Sequence, residues 1–201
     1  MKDYLMYNNT KYEISEETAE ELARIFGNKE TTLSDVEVGK TFKIGDMEFI
    51  VLEHLDGSTV VIAKDLFCED IKYGTNNNYD GSAADYLCND IAQKIADIIG
   101  EDNIVGHELD LTANNGMKCY GSITRKVALP TAEQVRKYAY ILAEYKIDDW
   151  WWLATASGTP KWGTTDYVLC VSRAGLLGII NFSFLCGVRP FCILKSSISV
   201  S

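Results

Sequence analysis

Short apolar runs separated by turn residues predict β-strands in the first half of the chain. Strand-like apolar residues occupy Thr41 to Ile50 and Val60 to Ala63. The turn signals Gly45-Asp46 and Asp56-Gly57 interrupt these runs, and turns of this kind join neighbouring antiparallel strands. The pattern therefore predicts an antiparallel meander.

A helical period of apolar residues follows the loop from Gly74 to Gly81, whose Asn76-Asn77-Asn78 run is typical of side-chain-to-backbone hydrogen bonds. Ser82 with Asp85 resembles a capping box, so we expect a helix to begin there. It runs to Ile99 and stops at Gly100. Its predicted apolar stripe consists of Leu87, Ile91, Ile95 and Ile98.

A second helix is predicted after a short strand over Met117 to Val127. Pro130-Thr131 followed by Gln134 marks its start, and the pattern continues to about Tyr145. Its predicted inner face consists of Val135, Tyr138, Ala139 and Leu142. After Trp150 the helical period disappears, and Gly and Thr separate short strands. The order of elements predicts an α+β domain rather than a repeating βαβ one.

Residues 1–30 form a small N-terminal unit in this interpretation. Two apolar–polar runs flank Asn8-Asn9, which predicts a hairpin turn. Ser15 then caps a helix that extends through Phe26 and ends at Gly27-Asn28. Polar residues 29–32 read as a linker to the main domain, and the role of the small unit is open.

Composition restricts the classes of partner. The 201 residues suit one domain with a small appendage, and the formal net charge of −10 disfavours nucleic acid and anionic membrane surfaces. The first residues begin no apolar stretch typical of a secretory signal. The most apolar run, Leu176 to Val188, is too short to span a bilayer. We therefore expect neither nucleic-acid binding nor membrane insertion.

The residues with catalytic or metal-binding potential form no recognised motif. The six cysteines are scattered without a C-x-x-C pair, which is typical of reduced, mostly buried thiols. His54 and His107 are the two histidines, and neither stands in a motif with a nucleophile. The sequence also has no H-E-x-x-H motif and no aspartate-rich calcium loop. We therefore predict no catalytic residue, no metal site and no cofactor.

The last third of the chain has an uneven composition. Between Trp150-Trp151-Trp152-Leu153 and Gly187-Val188-Arg189-Pro190, residues 163–186 contain no Lys, Glu, Gln, Met or Trp. A buried segment would also lack charge, so the gap is informative only together with the two flanking motifs.

Strand alternation predicts which side chains of segment 163–186 face outward. The even positions Ile180, Phe182, Phe184 and Cys186 are predicted to face the core, together with Val168 and Cys170. The odd positions are predicted to be exposed: Tyr167, Leu169, Ile179, Asn181, Ser183 and Leu185. A one-residue bulge would exchange the two sets, and burial of both faces in a sandwich is the alternative.

The order and spacing of these motifs resemble a known family. The matching positions are Trp151-Trp152-Leu153, Val168, Val171-Ser172, Gly175, Gly187-Val188-Arg189-Pro190 and Leu194, preceded by Asn77-Asn78-Tyr79, Ser82 and Leu87-Cys88-Asn89. Over residues 34–201 the chain resembles a C-type-lectin-fold domain that is widespread in bacteria and their phages. Ala154-Thr155 departs from the pattern, because many relatives have Arg-Ser there.

Within this family, segment 163–186 resembles the variable region of a diversity-generating retroelement protein with the formylglycine-generating-enzyme-like subfold. Such systems copy a template with errors at adenines. Codons with two adenines and a pyrimidine then yield many residue types, but not Lys, Glu, Gln, Met or Trp, which matches the composition gap. The resemblance implies a C-type lectin-like fold with two helices and antiparallel strands.

The resemblance further implies a display protein that recognises a protein ligand of unknown identity. Its implied ligand-binding residues are Thr164, Thr165, Tyr167, Leu169, Ile179, Asn181, Ser183 and Leu185. Its implied scaffold residues are Trp151, Trp152 and Arg189. A cytoplasmic or phage-associated location fits this function, and the sequence does not indicate an oligomeric state.

The sequence leaves other functions open besides ligand display. The chain could be a structural protein of phage or bacterium without diversification, or a cysteine-dependent oxidase with Cys186 and Cys192 as its pair. The three tryptophans suit either the core or carbohydrate stacking, and the core is favoured. Arg189 suits an anion site, a buried ion pair with Asp148 or Asp149, or hydrogen bonds to the backbone.

Overall fold

The computed structural model describes residues 3–7, 10–25, 31–161 and 163–201. The chain divides into two compact units, Met1–Thr31 and Thr32–Ser201. In the smaller unit, β1 (Asp3–Tyr7) pairs antiparallel with β2 (Thr10–Ile14). The predicted turn residues Asn8-Asn9 lie outside the described residues.

The helix of the smaller unit begins as predicted. It is α1 (Glu16–Ile25), and the Ser15 hydroxyl accepts a hydrogen bond from the amide of Thr18 at 3.2 Å. This bond satisfies one of the free amide groups at the helix start, which is the role of an N-cap. The predicted end at Phe26 to Asn28, and Lys29-Glu30 of the linker, lie outside the described residues.

The larger unit combines many short strands with three helices. Its described strands are β3 (Thr41–Ile44), β4 (Met47–Leu55), β5 (Ser58–Ala63), β6 (Cys68–Lys72), β7 (Ile104–Val105), β8 (His107–Asp110), β9 (Ser122–Arg125), β10 (Val127–Ala128), β11 (Trp151–Ala156), β12 (Tyr167–Val171), β13 (Leu177–Asn181), β14 (Leu185–Val188) and β15 (Phe191–Lys195). Its helices are α2 (Ala83–Ile99), α3 (Ala132–Lys137) and α4 (Ala139–Leu142), and 3₁₀ turns occupy Leu33–Asp35 and Glu101–Asn103. The predicted α+β class is confirmed.

Two sheets form the body of this unit. In the first, the strand order is β10-β15-β5-β4-β3, with β7 also paired to β15. The predicted meander is confirmed, since β3, β4 and β5 pair antiparallel through turns at residues 45–46 and 56–57. The second sheet has the order β13-β12-β11-β14-β6, in which only the β11–β14 pair is parallel. Strands β8 and β9 form a separate pair.

The main core lies where both sheets meet α2. Its buried residues include Val51 and Val61 from the first sheet, Trp152 and Val168 from the second, and Ile91 from the helix. Burial of apolar area on this scale is the dominant favourable contribution to folding. Segment 163–186 is therefore attached to the main core through β12.

Helix α2 begins where the sequence predicts, and Ile91 and Ile95 of its predicted stripe are buried, whereas the rest of the stripe differs. The Ser82 hydroxyl accepts from the Asp85 amide at 3.1 Å, whereas the Asp85 carboxylate pairs with Arg125 at 2.7 Å. Gly100 ends the helix with a φ of +86°. The buried face consists of Ala84, Cys88, Ile91 and Ile95, so the predicted burial of Ile98 is wrong and Leu87 is half-buried.

The predicted second helix is broken into two short ones. Its capping box is confirmed, because Thr131 and Gln134 exchange hydrogen bonds of 3.2 and 2.8 Å. The break falls at Tyr138, whose hydroxyl donates to the Glu53 carboxylate at 2.6 Å. Tyr138 is buried as predicted, while Ala139 is exposed, because the helical phase does not continue across the break. The strand predicted over 117–127 is limited to β9 and β10.

The cysteines agree with the prediction of reduced, mostly buried thiols. All six cysteines are free thiols, and four of them are buried: Cys88, Cys170, Cys186 and Cys192. Across the described part of the chain, every helix falls short of the length and apolarity needed to cross a membrane.

The buried histidine predicts how stability depends on pH. His107 lies edge-on to Phe191, and desolvation lowers the pKa of its ring to about 4. The unfolded chain, with a histidine pKa near 6.5, binds the proton more readily between these two values. Protonation therefore favours unfolding as the pH falls through this window, by roughly 3 kcal/mol in total.

We expect His107→Leu to remove this contribution. Chemical denaturation at a series of pH values should show the difference in unfolding free energy between the parent and the variant changing by roughly 3 kcal/mol from about pH 7 to about pH 4. Leu109→Ala in the same strand is the matched control, because it removes a buried side chain without removing an ionisable group, and its difference from the parent should stay constant with pH. A difference for His107→Leu that is constant with pH would contradict the interpretation.

Candidate binding surface

Two tryptophans of β11, the strand beside β12, pack on opposite faces of the second sheet and form the fixed base of segment 163–186. Trp152 is fully buried, its Nε1 donates to the carbonyl of Ile71 at 3.0 Å, and its ring lies edge-on to Tyr73. Trp151 is also buried, which leaves neither ring face open to a sugar. Trp150 differs from the prediction because it is partly exposed. Its ring covers Gly178, where an added Cβ would lie 3.1 Å from Trp150 Cζ3.

Arg189 joins this base to the first sheet through main-chain atoms. Its Nε donates to the carbonyl of Ala63 at 2.9 Å, and its Nη2 donates to those of Lys64 and Tyr145 at 3.0 and 3.3 Å. Its guanidinium also lies over the ring of Trp151. Burial lowers the pKa of Arg189 to about 10, so it stays positively charged at neutral pH.

The proposed ion-pair partners of Arg189 lie elsewhere. Asp149 accepts from its neighbouring amide and is 3.4 Å from Arg173, and Asp148 is exposed. Of the three alternatives for Arg189, the structure shows hydrogen bonding to the backbone and excludes the ion pair with Asp148 or Asp149. The side chain acts as a structural connector, because it satisfies carbonyl groups from two separate parts of the chain.

Strands β12 and β13 lie within segment 163–186, and they pair in a regular antiparallel register. Tyr167 lies opposite Asn181, Leu169 opposite Ile179, and Val171 opposite Leu177. The intervening residues Val168 and Cys170 face the main core, as alternation predicts. The odd positions of both strands therefore share the other face of the sheet.

This second face is only partly open, and the prediction for Leu169 is wrong. Leu169 is 2% exposed, because it packs in a second cluster with Ala132 and Val135 of α3 and with Trp151. Its cross-strand partner Ile179 is 56% exposed, so α3 covers β12 but leaves the outer strand β13 open. Leu169 cannot contact a ligand in this arrangement.

The other candidate positions are exposed to different degrees. Tyr167 is 41% exposed and Leu185 is 54% exposed, and Ser183 is also exposed. Thr164, Thr165 and Asn181 are half-buried. Phe184, predicted to face the core, is 58% exposed because residues 182–184 form a turn between β13 and β14, where strand alternation no longer applies.

Exposed large hydrophobic side chains are concentrated in this segment. Of the thirteen in the described chain, six lie between residues 167 and 185: Tyr167, Leu176, Leu177, Ile179, Phe184 and Leu185. Sequence reasoning missed Leu176 and Leu177, although Leu177 has the same parity as Ile179 and could have been included on that basis. Concentrations of exposed apolar groups usually mark contact sites.

A buried asparagine holds the start of the segment. Asn77 is fully buried, and its amide nitrogen Nδ2 donates to the carbonyls of Gly158, Thr164 and Tyr167 at 3.0, 3.2 and 2.9 Å. Its main-chain amide donates to the carbonyl of Thr165 at 2.9 Å. Its Oδ1 accepts from the hydroxyl of Tyr120 at 2.6 Å. The prediction that this asparagine run stabilises a loop through backbone bonds is confirmed.

Further hydrogen bonds that hold the segment also use main-chain atoms. The amide of Phe182 donates to the carbonyl of Asp166 at 2.9 Å, and the amide of Tyr73 donates to the carbonyl of Phe182 at 3.0 Å. The amide of Ser157 donates to the carbonyl of Tyr167 at 3.0 Å. Because every residue type has the same carbonyl group, these bonds place no demand on the outward side chains.

Comparisons with known proteins leave the family undetermined. No protein-family model matches the chain, and neither does any curated protein or solved structure. Within the described residues, no group of three or more His, Cys, Asp and Glu side chains is arranged to hold a metal ion. Two features therefore define the site: the exposed side chains of segment 163–186 and the hydrogen bonds that hold its main chain.

The cross-strand pair Leu169 and Ile179 gives a matched test of this surface. We expect Leu169→Ala to lower the free energy of unfolding by about 2–5 kcal/mol, because it leaves a cavity beneath α3. Ile179→Ala should cost less than about 1 kcal/mol, because its side chain is largely in solvent. Chemical denaturation measures both. Equal losses at the two positions would show that β13 is covered as β12 is.

Proposed function

We propose that the chain is a ligand-binding display protein of C-type lectin-like fold, whose segment 163–186 is diversified by a retroelement and recognises a protein. The proposal rests on the concentration of exposed large apolar residues in this segment, beside the buried Trp151 and Trp152. The ligand-binding set is Thr164, Thr165, Tyr167, Ile179, Asn181, Ser183 and Leu185, and Leu169 is removed from it because it is buried.

The chemistry of these side chains favours a protein ligand. Tyr167 offers a large contact area with few rotatable bonds, and Asn181 and Ser183 offer adaptable hydrogen bonds, which is the mixture found in antibody loops. Ile179 and Leu185 add apolar area that a sugar or a phosphate would not use. A rigid base lowers the entropy lost on binding, and Asn77 supplies that rigidity through four of its hydrogen bonds.

The main-chain support also favours diversification. A surface that is to vary must keep its backbone path when its side chains change, and the bonds from Asn77 and Tyr73 meet that requirement because they end on carbonyl groups. The absence of Lys, Glu, Gln, Met and Trp from segment 163–186 is what adenine-directed copying would leave.

The burial of both candidate thiols speaks against the oxidase alternative. Cys186 and Cys192 are buried, and burial raises the pKa of Cys186 to about 12 and that of Cys192 further. The thiolate is the reactive form of cysteine, and it is strongly disfavoured at both positions. A structural protein without diversification is the competitor that remains for the test below.

The DNA around the gene tests the proposal. We expect a nearby reverse-transcriptase gene and a template repeat that matches the codons of residues 163–186, with differences only where the template has adenine. The codons of Trp151 and Arg189 are the internal control, because they specify the fixed base and should not lie at mismatched adenines. A locus without such a repeat, or mismatches spread over all four bases, would leave the undiversified structural protein as the answer.

A further inference from the structure

A mostly apolar cavity lies beside the proposed binding surface, under the turn after β12. Its volume is about 270 Å³, and it is bounded by α3, α4, residues 143–147 and the turn after β12. The apolar side chains that line it include Val135, Leu142, Ile147, Trp151 and Val171. Its volume is near the lower end of the range for small-molecule sites, about 300–1,000 Å³. None of the side chains of Tyr167, Ile179 and Leu185 lines it.

The charge of this cavity is opposite to that of the protein. Arg189 and Lys146 line it, and its lining contains no Asp or Glu. Three other cavities of the described chain each include carboxylates, among them Glu108, Glu48 and Glu101. In a chain of formal net charge −10, a cavity lined by two cations and no anion is suited to an anionic ligand.

Arg189 is a buried cation that makes no salt bridge among the described residues, although Asp65 favours its charge electrostatically from a greater distance. It is 1% exposed, and none of the ion pairs among the described residues includes it. Its hydrogen bonds to three carbonyls use Nε and Nη2, and none of the described hydrogen bonds uses Nη1. Burying a charge is costly unless it is paired and hydrogen-bonded. A carboxylate in the cavity would add an anionic acceptor at hydrogen-bond distance, which none of the described ion pairs provides for this guanidinium.

We propose that the cavity binds a small carboxylate with an apolar body, such as an arylalkanoate or a short alkanoate. The carboxylate accepts a charge-assisted hydrogen bond from Nη1 of Arg189, and Lys146 adds a second positive charge at the rim. The apolar body packs against Trp151 and Leu142. A phosphate would need several donors, whereas the remaining walls of the cavity are mostly apolar.

Two matched pairs of probes test the proposal. Calorimetric titration of the full chain with phenylacetate and hexanoate, and with the neutral phenylacetamide and hexanamide, compares ligands of the same shape with and without charge. We expect at least one carboxylate to bind with a dissociation constant below about 10 mM, and its amide to bind roughly tenfold more weakly.

Variants locate the binding. Ala139→Phe places a ring on an exposed lining residue and should abolish binding of the carboxylate, and Lys146→Gln should weaken it roughly threefold. Lys118→Gln is the control, since Lys118 is exposed and does not line the cavity, and it should bind as the parent does. Arg189 itself is left intact because its three carbonyl bonds support the fold.

The proposal is overturned if neither carboxylate binds at about 10 mM, if acid and amide bind equally, or if Ala139→Phe binds as the parent does while remaining folded by circular dichroism. These outcomes leave the proposed display function untouched, because that function is tested on different residues and on the DNA.

Discussion

The fully buried side chain of Asn77 is the interaction on which the candidate surface depends. It donates hydrogen bonds to the carbonyl groups of Gly158, Thr164 and Tyr167, and its own oxygen accepts a hydrogen bond from the Tyr120 hydroxyl, which fixes its orientation. An unmade hydrogen bond in a buried place costs about 1–3 kcal/mol, so the loss of this amide would release several carbonyls at once. Since all the acceptors are main-chain atoms, the path of the chain is set without reference to the side chains it presents.

Arg189, which lies just after the end of segment 163–186, also binds main-chain carbonyl groups. Its guanidinium binds carbonyl groups of Ala63, Lys64 and Tyr145 and lies over Trp151. Within the chain, three carbonyl acceptors rather than a salt-bridged carboxylate offset the desolvation of this cation. Asn77 thus holds the start of segment 163–186 by its main chain, and Arg189 joins the residues just after the segment to carbonyl groups of the framework.

The sequence predicts the local features well and the nonlocal ones poorly. The meander, the Ser82 and Thr131 caps and the register parity of β12 follow from local patterns, which residues a few positions apart determine. Leu169 was misassigned because its burial depends on α3, which is distant in sequence and covers one strand but not the next. The asparagine run indicated a stabilised loop, but the particular carbonyls it binds depend on the tertiary fold.

The central claim is tested most directly by a stability scan of all single substitutions at Asn77 and at four exposed positions, Tyr167, Ile179, Ser183 and Leu185. The readout is the protease resistance of displayed variants. The account predicts that nearly every substitution at the four exposed positions leaves the protein folded, whereas almost none at Asn77 does. If Asn77 tolerates substitution as freely as the exposed positions, or if those positions tolerate as little as Asn77, the framework does not hold the segment through its backbone.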